Sequence, residues 1–566
     1  MHWKRILTKW ATRNPDGLAY QKIDFPELEG RSITYRQLES DTAHLAGRLG
    51  HHSEFQQPVV LLYRAGIDFV TALLACFWAG RIAVPLPLPY RLSQVNRLAK
   101  TLTHSGAKLV LTDLEPDSEL FQGIRAQLSA NGAELLWHES LRKLESTGEK
   151  SPKLDPASPA VLQYSSGSTG SPKGVIVTHQ NLVENCKTIA KSFGTHAGSR
   201  YLTWLPHYHD MGLVDGVLGP LAKGIPGHIM APEDFIARPV RWLQAISKYR
   251  ITCTGGPNFA FELCARKVKD TQKAELNLSS LDVLYNGAEP IWADTLNRFA
   301  KAFQVCGFRY DQLLPCYGMA ESTLMVSSTG RDFKPKVLDL QFELLQEQHR
   351  AVKAQSGQAG RSFVSSGRIA SGFDVKIVDP KSRSVLPEWE VGEIWISGDS
   401  VAQGYYGDLD KTDEIFHAET LDGQGPYLRS EDLGFLADGW LYITGRIKDL
   451  IILNGQNHYP QDIEKTASDC HIDIRTGNVA AFPVVDGQEE RVVVMAELRS
   501  EDRADEVRQK IQTTVYQTHG IALKDIALVP PGTIRKTSSG KLMRFACRDL
   551  WQKSQTSTEL FFETNT

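Results

Sequence analysis

The chain has 566 residues, of which 42% are hydrophobic, 23% charged and 9% aromatic, and its formal net charge is -3. That length exceeds one compact core and implies roughly two to four folding units. The near-neutral charge offers no basic field for nucleic acid or an anionic membrane surface, which excludes binding driven by net positive charge. Eight cysteines, at 76, 186, 253, 264, 306, 316, 470 and 547, form no CxxC pair and sit in no zinc-type cluster, so they read as reduced thiols of a cytoplasmic protein.

In chain order, Trp3, Ile6, Leu7 and Trp10 have helical spacing, with lysines and arginines between them, unlike the unbroken apolar stretch of a signal peptide. Short β-branched runs at 59–63, 82–84, 108–112 and 160–164 alternate with helical patterns, among them 68–79, and this rhythm predicts parallel sheets flanked by helices. The apolar run at 69–79 is too short to span a bilayer and reads as a core helix. A polar, helix-prone stretch at 337–354 lies within a change of texture at 330–362 and reads as an insertion or flap. Beyond a boundary near 444–450, strands at 478–483 and 491–497 and a helix at 502–519 predict a small separate α+β unit.

The first motif with chemical content is Tyr164-Ser165-Ser166-Gly167-Ser168-Thr169-Gly170-Ser171-Pro172-Lys173-Gly174, set between two strand patterns. Glycines let backbone curl around an anion, hydroxyls and N–H groups donate to phosphate oxygens, and Lys173 adds a point charge. The spacing is not that of the GxxxxGK[ST] loop, which argues against a nucleotidase of that kind.

This loop resembles the phosphate loop of the adenylate-forming superfamily of acyl-CoA synthetases, luciferases and peptide synthetase adenylation domains. Further motifs follow in that superfamily's order. They are Trp204-Leu205-Pro206-His207-Tyr208-His209-Asp210-Met211-Gly212, Asn286-Gly287-Ala288-Glu289-Pro290, Tyr317-Gly318-Met319-Ala320-Glu321, Ser430-Glu431-Asp432-Leu433-Gly434, Gly445-Arg446-Ile447-Lys448-Asp449 and Thr537-Ser538-Ser539-Gly540-Lys541. The fourth departs from the usual pattern, carrying Ser-Glu where Thr-Gly commonly precedes the aspartate. Within the superfamily the tract ending in His-Asp-Met-Gly, the run Gly256-Pro257-Asn258-Phe259 and the insertion after Glu321 are most similar to fatty acyl-AMP ligases.

The resemblance implies an α/β fold: a large N-terminal region of two packed α/β subdomains plus a small distorted β-barrel (1–444), a hinge (445–449) and a small mobile α+β C-terminal domain (450–566). It implies ATP and Mg²⁺ as cofactors. Ser165, Ser166, Gly167, Ser168, Thr169, Gly170 and Lys173 would hold phosphates. Asn286, Gly287, Ala288, Glu289, Tyr317, Gly318 and Met319 would line the adenine side, with Asp432 and Arg446 at the ribose. Glu321 would hold Mg²⁺, and Lys541, His209, Glu321 and Thr169 would carry catalysis. Trp204, His209, Met211, Gly212 and Pro257 would meet the acyl group, and Lys448 would be the hinge residue. The implied partners are a fatty acid and a separate acyl carrier protein or synthase module. Two other readings stay open: an acyl-CoA synthetase, and a non-catalytic adenylate-binding module, which retention of Asp432, Glu321 and Lys541 disfavours.

Overall fold

The computed structural model describes residues 2–555 apart from 90–93, 131, 143–152, 166–171, 356–357, 359, 454–455, 487–488 and 538–539. Two large sheets dominate it. One has six strands in the order Glu134–Trp137, Leu109–Thr112, Pro58–Leu62, Ile82–Pro85, Pro159–Ser165 and Lys173–Thr178. All neighbours in it are parallel except the last pair, which is antiparallel. The other has nine strands in the order Arg368–Ile369, Met325–Ser328, Leu313–Gly318, Val283–Asn286, Cys253–Gly256, Tyr201–Thr203, Gly227–Met230, Leu18–Ile23 and Ser32–Thr34.

The helix Ile67–Ala79 packs against strands of both sheets, and twelve of its residues are buried. A helix apolar on every side can only lie between two layers, so the run that was too short for a membrane is instead the centre of the core. It ends at Gly80, whose φ of +67° is the left-handed turn that stops a helix. The N-terminal helix Trp3–Arg13 buries Trp3, Ile6 and Leu7. Thr34 and Thr178 each start a helix with a reciprocal capping box.

Strands Phe373–Val378, Gly392–Gly398, Leu428–Ala437 and Trp440–Arg446 form a four-stranded antiparallel meander. The C-terminal segment has its own three-stranded sheet, Ile474–Asp486, Glu489–Leu498 and Leu523–Val529. Helices Pro460–Asp469 and Ala504–His519 cover one face, and Arg544–Ser554 the other. This is the α+β unit read from the sequence.

The insertion differs from its expected form. Its helix is confined to Phe342–Gln348, and 337–340 is instead a strand paired with Arg361–Val364. Leu340, Leu345, Ala351 and Phe363 are buried there with Phe435, Trp440, Tyr442 and Tyr459. A few apolar residues in a polar stretch are enough to anchor it, because each faces one shared core. Among the described residues no helix is long and apolar enough to cross a membrane.

Candidate active site

A cleft of about 1240 Å³ opens between the large region and the C-terminal segment. Its walls carry His209, Met211, Ala288, Glu289, Tyr317, Gly318, Met319, Glu321, Asp432, Arg446, Lys448 and Lys541, together with Lys173. Parallel strands bring most of these groups together. Val283–Asn286 and Leu313–Gly318 are neighbours in register, so the motifs at their C-terminal ends emerge side by side. Loops at that edge of a parallel sheet are a common position for ligand sites.

The turn after Asn286 is tightly determined. Ala288 has a φ of +69°, a conformation that is costly for a residue with a side chain. A Cβ on Gly318 would fall 1.6 Å from the Leu324 carbonyl oxygen, so only glycine fits there. Asn286 is wholly buried behind the wall, and its side-chain oxygen has no hydrogen-bond partner. Glu289 accepts from the Phe259 N–H, and burial raises its carboxyl above the ordinary range, opposed by that bond, Lys536 and Lys541.

Asp432 is 6% exposed and fixed from two sides. The Tyr317 hydroxyl donates to one oxygen at 2.8 Å and Arg446 Nε to the other at 2.6 Å. The charge of Asp432 raises the Arg446 pKa, and burial with that same carboxylate raises the Tyr317 phenol. Each carboxylate oxygen offers about two lone-pair directions, so a second acceptor position per oxygen is left for the vicinal hydroxyls of a ribose. Glu321 accepts from the Tyr405 hydroxyl at 2.9 Å, and Lys173 Nζ stands 5.3 Å from the Tyr405 ring centroid. Glu431, held at a φ of +59°, pairs with Lys448 at 2.8 Å.

Across the cleft, Lys541 sits on a turn closed by its own N–H to Thr537 Oγ1 (3.0 Å) and by the Thr537 N–H to its carbonyl (2.7 Å). Gly540 takes a φ of +86° in that turn, 3.7 Å (measured from its Cβ position) from the Phe259 ring. The Lys541 side chain is exposed, and its charge acts on groups of the opposite wall. It reinforces burial in lowering His209 to about 3, and it opposes burial at Asp210, whose carboxyl is raised overall. His209 is therefore a neutral imidazole at physiological pH, able to donate or accept but not to supply positive charge.

Not every expected residue is in the wall. Trp204 is 2% exposed and stacks on Phe235 with ring centroids 3.9 Å apart, which makes it a support. Gly212 lies in a buried π-helical turn, Met211–Leu218, where a Cβ would approach the Pro206 carbonyl oxygen to 2.2 Å. Pro257 is buried at the start of the helix Asn258–Lys267. Gly287 abuts Cys316, behind the wall. Trp204, Gly212 and Pro257, expected at the acyl group, are thus not among the residues that line the cleft. Ser165 ends its strand opposite Lys173, while Ser166, Gly167, Ser168, Thr169 and Gly170 lie outside the described residues. Residues not anticipated from the sequence also line the cleft: Asp215, Arg361, Tyr405 and Lys536. For Lys536 a signal existed, a second lysine five positions before Lys541; the others depend on tertiary packing alone.

Residues 7–406 match the AMP-binding enzyme family, and 448–560 match the AMP domain of the Disco-interacting protein 2-like family. The chain is 40% identical over 542 residues to the medium-chain-fatty-acid–[acyl-carrier-protein] ligase JamA of Moorena producens, covering 94% of this chain and 91% of the relative. A structure from work on fatty acyl-adenylate ligases of E. coli and L. pneumophila superposes with a TM-score of 0.89 at 32% identity, covering 98% of both chains. The L. pneumophila fatty acyl-adenylate ligase in complex with acyl adenylate and pyrophosphate superposes at 0.76 with 34% identity, covering 99% of this chain and 97% of that one.

Proposed function

The chain belongs to the AMP-binding enzyme family, and from that premise we propose that it activates a fatty acid with ATP and then passes the acyl group to the phosphopantetheine thiol of a separate acyl carrier protein. A carboxylate oxygen attacks the α-phosphorus, the bond to the pyrophosphate leaving group breaks, and an acyl-adenylate results. The thiol then attacks the acyl carbonyl and AMP leaves. The observation that carries this reading is a single cleft lined by His209 and Asp210 from the large region and by Lys541 from the C-terminal segment.

Two anions must meet in this reaction. At a few ångströms, at an effective dielectric near 20, their repulsion is about 4 kcal/mol. A cation delivered between them on the turn at 537–541 offsets that repulsion where charge develops on the attacking carboxylate and α-phosphate. Neutral His209, beside it, orients the acid by hydrogen bonding without competing for the proton. Asp432 fixes the ribose and Arg446 holds Asp432, while Tyr317 presents its ring as the adenine platform. Lys173 and the loop at 165–170 take the β- and γ-phosphates.

Glu321 suits magnesium. Among the described residues no cluster of three His, Cys, Asp or Glu forms a ready-made cage, and a single carboxylate plus substrate phosphates and water is the usual Mg²⁺ environment. Bound there, the ion would neutralise phosphate charge; the Tyr405 hydroxyl holds the carboxylate that would receive it.

The same proposal divides the chain into 1–444, a hinge at 445–449 and a mobile 450–566; the start of the second family match at 448, after a first match that ends at 406, supports a boundary in this part of the chain. Lys448 lies in the short turn Ile447–Asp449 and is the position expected to change dihedrals between the two half-reactions. The setting is the cytoplasm, in keeping with eight free cysteines among the described residues.

An acyl-CoA synthetase remains the second reading. The insertion disfavours it: Arg361 pairs with Asp462, Asn457 hydrogen-bonds His349 and Gln456 hydrogen-bonds Glu347, so the flap holds the C-terminal segment in the adenylating arrangement. The test offers fatty acids of graded length with ATP and Mg²⁺, and either CoA or a phosphopantetheinylated carrier protein. Acyl-AMP that persists beside CoA and is discharged by the carrier supports the proposal; efficient acyl-CoA formation moves the chain to the second reading.

A further inference from the structure

The cleft extends inward past Met211 to a part lined by Ile189, Phe193, Tyr285, Leu324 and Met325. An alkyl chain needs nothing but such a surface, each CH₂ gaining about 0.8 kcal/mol by leaving water. Yet this apolar lining contains one carboxyl. Asp215 is 2% exposed, lines the same cavity, and neither of its oxygens has a hydrogen-bond partner of ordinary geometry. Leaving a buried acid unsatisfied costs about 1–3 kcal/mol, more if it is charged.

The surroundings say what it can accept. The titratable groups that feel Asp215 are Cys186, Cys253, Cys316, Tyr201 and Tyr285, all neutral at pH 7 and none a cation. The Tyr201 and Tyr285 hydroxyls lie against it and moderate the effect of burial, which still brings the carboxyl up to about 7. Tyr285 is itself a cavity residue, stacked on Phe193 with centroids 5.5 Å apart. The π-helical turn Met211–Leu218 puts Met211, which follows His209 and Asp210 in the chain, and Asp215 into one cavity. Asp215 lies six positions after His209, about 9 Å of axial rise at helical geometry, so the carboxyl meets an extended acyl chain part-way along rather than at its head.

We propose that Asp215 is a specificity-determining residue, and that the acid this chain activates bears a hydrogen-bond donor, a hydroxyl or an amine, part-way along its chain. The inference rests on the adenylation reading above. The Tyr201 and Tyr285 hydroxyls offer the carboxyl two donors, but its two oxygens have about four acceptor positions, so a donor on the acid fills positions that a plain alkyl chain would bury empty. Sites built to hydrogen-bond a substrate group discriminate strongly against the analogue that lacks it.

The test compares medium-chain acids that are plain, mid-chain hydroxylated, or mid-chain aminated, reading kcat/KM for adenylate formation by pyrophosphate release. The wild-type protein should prefer a donor-bearing acid at least about tenfold over the plain one. Asp215→Leu should invert the order by raising kcat/KM for the plain acid, and Asp215→Asn should keep a preference for the hydroxylated acid while losing any for the aminated one. Equal kcat/KM for plain and substituted acids in the wild-type protein, or a ratio unmoved by Asp215→Leu, would overturn the assignment while leaving the adenylation reading intact. No adenylate from any acid would instead break the adenylation reading. If Asp215→Leu does not fold, the wild-type ratio and the Asn variant still decide.

Discussion

The two walls of the cleft hold their chemistry in opposite ways. On the large region, Asp432 and Asn286 are buried and Glu289 is half-buried, and each is held by neighbouring groups. On the C-terminal segment, Lys541 is an exposed side chain on a short turn anchored by Thr537. Binding groups gain from being fixed before the ligand arrives, because no reorganisation remains to be done. A group needed in only one of two steps gains from being removable. On the proposed function, the contrast divides the site into a permanent nucleotide wall and a charge brought to it.

Removing the delivered charge should have the largest effect. Lys541→Ala is expected to slow adenylate formation by roughly 100- to 1000-fold, the range for losing one preorganised electrostatic group. Nucleotide affinity measured by calorimetry should change little, since the opposite wall is intact. A matching loss of ATP binding would show that Lys541 belongs to the permanent wall.

Next comes the fixed wall itself. Asp432→Ala removes the proposed acceptor for ribose and leaves Arg446 and Tyr317 without their partner. With charge-assisted bonds worth about 1.5–3 kcal/mol each, KM for ATP should rise by about tenfold or more. Unchanged KM would remove Asp432 from the ribose site.

Lys448→Pro separates the two steps. The substitution should leave pyrophosphate exchange within about threefold of the original while transfer to the carrier thiol falls much further, as expected for a residue that absorbs a dihedral change. Equal losses in both half-reactions would take the hinge away from Lys448.

The smallest effect is on stability. His207, buried and packed 4.1 Å from the Phe69 ring by centroid, has its pKa pushed from 6.5 down to about 3 by burial. Unfolding lets it take a proton, so its contribution is complete above pH 6.5 and is lost as pH falls towards 3. His207→Phe should lower the slope of stability against pH in that window by up to about 1.4 kcal/mol per unit, measured by denaturant titration. An unaltered slope would mean that His207 titrates normally.

What could be read from the sequence follows the same division. Two motifs of the fixed wall begin at the ends of the strands Val283–Asn286 and Leu313–Gly318, whereas Asp432 lies within Leu428–Ala437. The strands expected at 59–63 and 82–84 fall within one residue of Pro58–Leu62 and Ile82–Pro85. Less legible was which residue of a motif faces the ligand. Trp204 and Pro257 read as contacts because they belong to the motifs, yet one stacks on Phe235 and the other starts a helix behind the wall. Asp215 escaped notice because the turn Met211–Leu218 is π-helical, and the facing of its side chains does not follow ordinary helical spacing. Arg361 reads as one more charge in a polar insertion, and only the fold surrounds its guanidinium with Phe363, Phe342 and Tyr459 and pairs it with Asp462.

The most direct test of the central claim follows oxygen. A fatty acid labelled with heavy oxygen in its carboxyl group is incubated with ATP, Mg²⁺, the protein and a phosphopantetheinylated carrier, and the nucleotide product is weighed by mass spectrometry. Attack of the carboxylate on the α-phosphorus followed by thiolysis must leave one labelled oxygen on AMP and release unlabelled pyrophosphate. That is the predicted result. Unlabelled AMP, or ADP with label in phosphate, would place the attack at another phosphorus and contradict the assignment of the cleft.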